Sequence, residues 1–211
     1  MMSKRFLKFI PAALIAASLL IAGCNEAPGT GTGTPAKAAS TPVSMAAIAA
    51  EAKGFTAGTI MSARTVYVFF DAQCPHCGAL WEAAKPLNSQ AKFVWIPVGL
   101  LNPSSTAQGA TLLAAKDPVA AMDEHEASMQ AQRGGISAGS DIEAQKAVVA
   151  KNTELLTRFG FTSVPSIVAT QAQTGALVTH EGTLSTADLA ALLGLQPPAG
   201  SPGEPGNSSA K

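Results

Sequence analysis

Cys74, Pro75, His76 and Cys77 set two thiols two residues apart with a histidine between them. Three chemistries use such a set. Thiol–disulfide exchange needs an accessible thiolate and a second thiol that resolves the mixed disulfide. A metal site would take both sulfurs and the imidazole, but zinc or Cu(I) asks for further ligands that this chain offers sparingly. A structural staple needs only the disulfide, yet so small a loop removes little entropy from the unfolded chain. The staple is the weakest account, and redox and metal roles stay open on the motif alone.

The flanking residues must position the pair. "TVYVFF", residues 65–70, is a β-branched and aromatic run suited to a buried strand. A helix is predicted from about Pro75, with proline tolerated in its first turn and Leu80, Ala83, Ala84 and Leu87 forming an apolar stripe that Pro86 should kink. Cys74 then faces the unsatisfied amides and positive dipole end of the helix, which stabilise an anion. Cys77 lies one turn in, shielded by the helix body. Cys74 is the expected nucleophile and Cys77 the expected resolving thiol, with Pro75 and His76 as modulating residues. Each pKa unit that Cys74 falls below ambient pH stabilises the reduced form by about 1.4 kcal/mol, or about 30 mV.

The chain has 211 residues, zero formal net charge, 47% hydrophobic and 13% charged residues, enough for one core. No basic cluster lies beyond the N-terminus, so nucleic acid is not an expected partner. Lys4, Arg5 and Lys8 precede an apolar stretch, residues 9–22, too short for the roughly 20 residues of a membrane span. Its end, "LIAGC", resembles the lipobox of bacterial lipoproteins, which implies cleavage before Cys24 and acylation of that residue. Residues 1–23 are thus read as a lipoprotein signal peptide. Asn25 tilts the anchor towards the outer membrane over the inner one, facing the periplasm. Removing Cys24 from the three cysteines leaves Cys74 and Cys77 alone in an oxidising compartment.

Residues 24–42, rich in Gly, Thr, Pro and Ala, read as a flexible tether, and 196–211 as a disordered tail. The globular unit spans 43–195. It should start with an Ala-rich helix capped by Ser44 and ended at Gly54, and a second strand is expected in "KFVWIPVGLL". Two more strands joined at Thr174 and Gly175 and a final helix capped by Ser185 should follow. Between the second and third strands, residues 104–160 read as three helices. Strand, helix, strand, crossover, hairpin and helix give an α/β architecture with a mixed sheet of about four strands.

Three stretches, "VYVFFDAQCPHC", "PVGLLNPSSTAQGATLLAAKDP" and "RFGFTSVPS", resemble the disulfide-bond (Dsb) proteins of the bacterial periplasm, members of the thioredoxin superfamily, and most closely the DsbG/DsbC branch. The resemblance covers about Phe55 to Leu195. It implies a thioredoxin-like fold and thiol:disulfide oxidoreductase activity on protein substrates, with no cofactor beyond the Cys74–Cys77 disulfide and a membrane redox partner of unknown identity. It also implies that Pro165 is a cis-proline facing the cysteines, and that the backbone at Val164 pairs with substrate. Donation of disulfides is the favoured direction, since Pro75-His76 is the dipeptide of the strong oxidant DsbA. The alternatives are a DsbG-like reductase, isomerase or sulfenic-acid-reducing activity and, from another class, a metal-binding or chaperone module using the pair.

Several positions depart from the family pattern. Val164 stands where DsbG and DsbC place threonine, and Val68 where thioredoxin and DsbA carry a buried carboxylate. Asp71 is read as a strand-end turn residue that could alternatively handle protons. Only the 40 positions 25–64 separate Cys24 from Thr65, too few for the family's N-terminal dimerisation domain, so a monomer is expected. His125 is read as part of a solvated charged helix face, His180 as a strand-end residue, and Trp81 and Trp95 as core.

Overall fold

The computed structural model of the chain describes residues 40–198. The leader, Cys24 and most of the tether and tail lie outside the described residues.

The two most apolar runs become β2 (Thr65–Asp71) and β3 (Lys92–Val98), each buried along its C-terminal half. They pair in parallel, from Thr65 against Lys92 to Asp71 against Val98, and α2 (Pro75–Ala84) lies in the connection between them. Parallel strands covered on both faces read as continuous hydrophobic runs rather than alternating ones. β4 (Ser166–Thr170) joins β2 antiparallel, and β5 (Leu177–Glu181) joins β4 through a turn in which Gly175 has φ +71. A fifth strand, β1 (Phe55–Gly58), pairs antiparallel with β3, giving the order β1-β3-β2-β4-β5. The sheet is therefore one strand wider than expected. "FTAG" is too short to show alternation, and its pairing with Phe93 and Trp95 fixes it as a strand.

The helices follow their capping residues. Ser44 accepts from the Ala47 amide to start α1 (Met45–Glu51), and Ser185 accepts from Asp188 to start α6 (Thr186–Leu193), which Gly194 ends at φ +68. Between β3 and β4 lie α3 (Pro103–Ala114), α4 (Pro118–Gln130) and α5 (Glu143–Arg158). Asn102 and Ser105 close a reciprocal cap on α3, and Asp117 caps α4. Pro86 does more than kink α2. The helix ends at Ala84 and tightens into a 3-10 turn, Lys85–Leu87, because proline lacks the N–H and crowds the carbonyl four residues back.

Trp81 and Trp95 are buried and meet edge to face with ring centroids 4.9 Å apart. Phe70 packs on Trp95 at 5.7 Å and Phe55 on Trp81 at 6.2 Å, so β1, β2, β3 and α2 share one aromatic cluster. Burial of each such side chain contributes about 1.5–3 kcal/mol, which holds the base of α2 firmly on the sheet. Among the described residues no helix is long and apolar enough to cross a membrane.

Candidate active site

Cys74 is the N-cap of α2. Its N–H donates to the Asp71 carbonyl at 3.0 Å, and its own carbonyl accepts from Cys77 at 3.0 Å and from Gly78 at 3.3 Å. Pro75 fills the first helical position, where a missing N–H leaves nothing unsatisfied. Both sulfurs are free thiols, Cys74 nearly buried at 5% exposure and Cys77 wholly buried. The hydrogen bond from the Cys77 thiol is the main cause that lowers Cys74 to about 6; burial opposes it, and the amides of Cys77 and His76 and the His76 charge add to it. Cys77 is pushed far up, chiefly by burial and then by the neighbouring Cys74. At neutral pH the pair is therefore a thiolate beside the thiol that stabilises it. His76 is exposed and reaches Cys74 through its amide and its field.

The second part of the site is the loop before β4. The Val164–Pro165 bond is cis, and the Cys74 sulfur lies 3.6 Å from the Val164 carbonyl, to which it donates when protonated. Val164 thus meets Cys74 through its backbone, and the residue as a whole is nearly buried at 9% exposure. Glu181, on β5, braces the loop: one carboxylate oxygen accepts from the amides of Thr162 and Ser163 and from the Ser163 hydroxyl, at 3.0, 2.9 and 2.8 Å. Against a raising effect of partial burial, these donors hold Glu181 below its usual range. Nothing in the sequence near Glu181 signals this role, because the contact crosses from one strand to the loop ahead of its neighbour.

Three further residues hold the ground around Cys74. Asp71 is fully buried; Oδ1 accepts from the Gln73 amide at 2.8 Å, and Oδ2 from Leu100 and Leu101 at 2.7 and 3.0 Å. Its turn-forming role extends to tying the loop after β3 to the loop before α2. His125 does not belong to a solvated face. It is fully buried, with Nε2 2.6 Å from the Ala72 carbonyl and Nδ1 3.2 Å from the Ile136 amide. Those partners define a neutral ring, donating from Nε2 and accepting at Nδ1, and burial lowers its pKa accordingly. Glu126, next to it on α4, is 4% exposed and lies against Gly78 of α2. Burial first, and then Cys74 and Glu82, raise it to about 7, with Lys85 opposing. One buried carboxylate near the pair, Glu126, comes from α4 and another, Asp71, from the end of β2, while Val68 on β2 is plain core. His180 lies within β5 opposite Ile167, away from any of these contacts.

The geometry brings Cys74, Cys77, Pro75, His76, Val164 and Pro165 together. It presents one activated sulfur and one shielded sulfur beside the backbone of a cis-proline loop, a set suited to thiol–disulfide exchange. Among the described residues no group of three or more His, Cys, Asp or Glu is arranged to hold a metal ion.

Residues 60–196 match a family described as a thioredoxin-like domain. Over 137 residues, 62% of this chain, the sequence is 34% identical to the thiol:disulfide interchange protein DsbG of Pseudomonas aeruginosa, of which that segment covers 51%. It is 33% identical over 104 residues to the Escherichia coli protein of the same name, covering 48% of this chain and 42% of that one. The chain spans about half the length of the curated relatives it matches. Among solved structures, a periplasmic thioredoxin-like protein from Salmonella enterica serovar Typhimurium aligns with a TM-score of 0.55 at 16% identity, over 73% of this chain and 97% of that one. That likeness is one of fold.

Proposed function

The chain belongs to the thioredoxin-like domain family, and we propose that it exchanges disulfides with the cysteines of other proteins, Cys74 reacting with substrate and Cys77 resolving. The observation that carries this reading is the setting of Cys74. Cys74, its thiol lowered to about 6, is the N-cap residue of α2 with its sulfur 3.6 Å from the Val164 carbonyl and its buried partner one turn behind. A substrate segment laid along Val164 and Pro165 as an added strand would bring its sulfur to Cys74.

Donation of disulfides is the direction we favour. A substrate thiolate attacks Cys74 of the Cys74–Cys77 disulfide, and Cys77 leaves and takes up a proton. A second substrate thiolate then attacks the substrate sulfur of the mixed disulfide, releasing Cys74 as a thiolate. Two electrons pass to the pair and the substrate keeps the new disulfide. Stabilising the leaving thiolate favours this course: at pH 7, a midpoint of about 6 in place of 9.0 amounts to about 1.4 kcal/mol, or about 30 mV. The raised Cys77 does not oppose it, since an ordinary thiol is already protonated at that pH.

The leader, the "LIAGC" sequence and Asn25 support a periplasm-facing lipoprotein held through Cys24, with the outer membrane favoured; a membrane partner that reoxidises a monomeric protein completes the proposal. Replacing Cys77 with alanine should trap substrate proteins as mixed disulfides that vanish when Cys74 is also replaced. Absence of adducts together with stoichiometric metal in the purified protein would overturn the exchange reading. Alkylation trapping in cells should find the pair mostly oxidised; a mostly reduced pair reverses the direction in favour of the reductase reading.

A further inference from the structure

Glu126 is buried without a partner. Burial and neighbouring charges are the only influences on its carboxyl, with no hydrogen bond among the described residues. Lys85, the cation whose charge reaches it, is engaged elsewhere, 2.7 Å from Glu82 and 2.8 Å from Asp123. The carboxylate lies so close to Gly78 that a β-carbon there would collide with it, so the glycine makes its room. It is also the single charged group lining a cavity of about 220 Å³ between α2 and α4, whose other walls are Pro75, Gly78, Ala79, Met129 and Gln130. Pro75 places this cavity beside Cys74.

A desolvated carboxylate with no donor is costly, and more so near a thiolate. A mostly apolar cavity lined by one such group matches one kind of side chain, an aliphatic stem with a cationic head. We propose that this cavity is a subsite for a lysine or arginine adjacent to the reactive cysteine of a substrate protein, with Glu126 as the counter-ion. The proposal rests on the exchange reading given above. The groups facing Glu126 are Glu82 on α2, its N-cap Cys74 and Lys85 in the 3-10 turn after it, and on α4 Asp123 is held by Lys85 and Trp81. Arrival of a cation draws Glu126 into its ionised form and offsets the repulsion between it and the Cys74 thiolate. A carboxyl near 7 beside two thiols also suits proton transfer, but that role requires neither the cavity nor its apolar walls.

The test uses the full chain carrying Cys77→Ala, equilibrated at about pH 8, above the Glu126 midpoint, with symmetrical disulfides of short peptides. Each peptide has one cysteine, flanked on one side or the other by lysine, norleucine or glutamate. The Cys74 thiolate attacks the peptide disulfide, forming a Cys74–peptide disulfide and releasing a peptide thiolate, so the equilibrium constant reports the flanking side chain. The lysine peptide should be favoured over norleucine by about tenfold, and glutamate disfavoured. Adding Glu126→Gln should bring the lysine-to-norleucine ratio close to one. No lysine preference, or a preference that survives Glu126→Gln, overturns the proposal. An equal shift of all three peptides with a displaced pH midpoint overturns it in favour of proton handling. Turnover of protein disulfides by the unmodified chain is scored separately: lysine preference without turnover supports the cavity and overturns the exchange reading, and turnover without preference does the reverse.

Discussion

A thiol's reactivity is set by where its proton goes, and the two cysteines of this site have opposite answers. Cys74 is the N-cap residue of a helix, receives a hydrogen bond from its partner and sits near 6; Cys77 is wholly buried and keeps its proton. The alkylation rate of the reduced protein should therefore rise about tenfold per pH unit below 6 and level off above it. Cys77 should stay unmodified throughout the neutral range. Mass-resolved alkylation across pH checks both, and a plateau reached only near 9 would remove the asymmetry. This much was legible in the sequence, because the setting of both sulfurs is local to one strand end and one helix start. Glu126 and His125 were not. A charged run such as "DEHEAS" is ordinarily solvated, and only the packing of α4 beside the loop before α2 turns one of its faces inward.

At the scale of elements, the site is held by contacts that cross from one loop to another. Asp71 ends β2 and gathers three backbone N–H groups, one from its own turn and two from the loop after β3. Asp71→Asn keeps the shape but gives up charge-assisted bonds worth about 1.5–3 kcal/mol each. It should lower stability by about 2–4 kcal/mol in denaturant titration, with exchange of the Leu100 and Leu101 amides speeding up first. A variant as stable as the parent, with those amides still protected, would show that the carboxylate is not the tie. The sequence marked Asp71 as a turn former but gave no hint of its second loop, since residues 29 and 30 positions away supply the donors. Glu181 was hidden for the same reason. The cis bond before Pro165 was anticipated through family resemblance, since an X-Pro bond alone does not announce its isomer.

For the whole molecule, the proposed exchange makes the pair a link between redox state and folding stability. Cys74 has a folded value below its ordinary one, so in the reduced protein its contribution is complete above 9.0, declines as pH falls towards 6 and is gone below that. Cys77, raised, removes stability only as pH climbs above 9.0, and raised Glu126 acts between 4.5 and 7 with the opposite sign to Cys74. Glu126 is present in both redox forms and largely cancels between them. The stability of the reduced form relative to the oxidised form should thus increase from pH 6 to 9, by at most about 1.4 kcal/mol per unit. Thermal unfolding of both forms across that window tests it, and a flat or falling difference would contradict the Cys74 assignment. The layer order and helical insertion followed from hydrophobic runs and turn residues, but β1 did not, because four residues become a strand only once Trp95 and Phe93 lie beside them. That aromatic cluster has an optical consequence. The chain's two tryptophans, Trp81 and Trp95, share one dry contact at the root of α2, with Trp81 one helical turn past Cys77. Their emission comes from a single locus one helical turn from the proposed redox pair, so the exchange reading expects the emission of the reduced and oxidised proteins to differ.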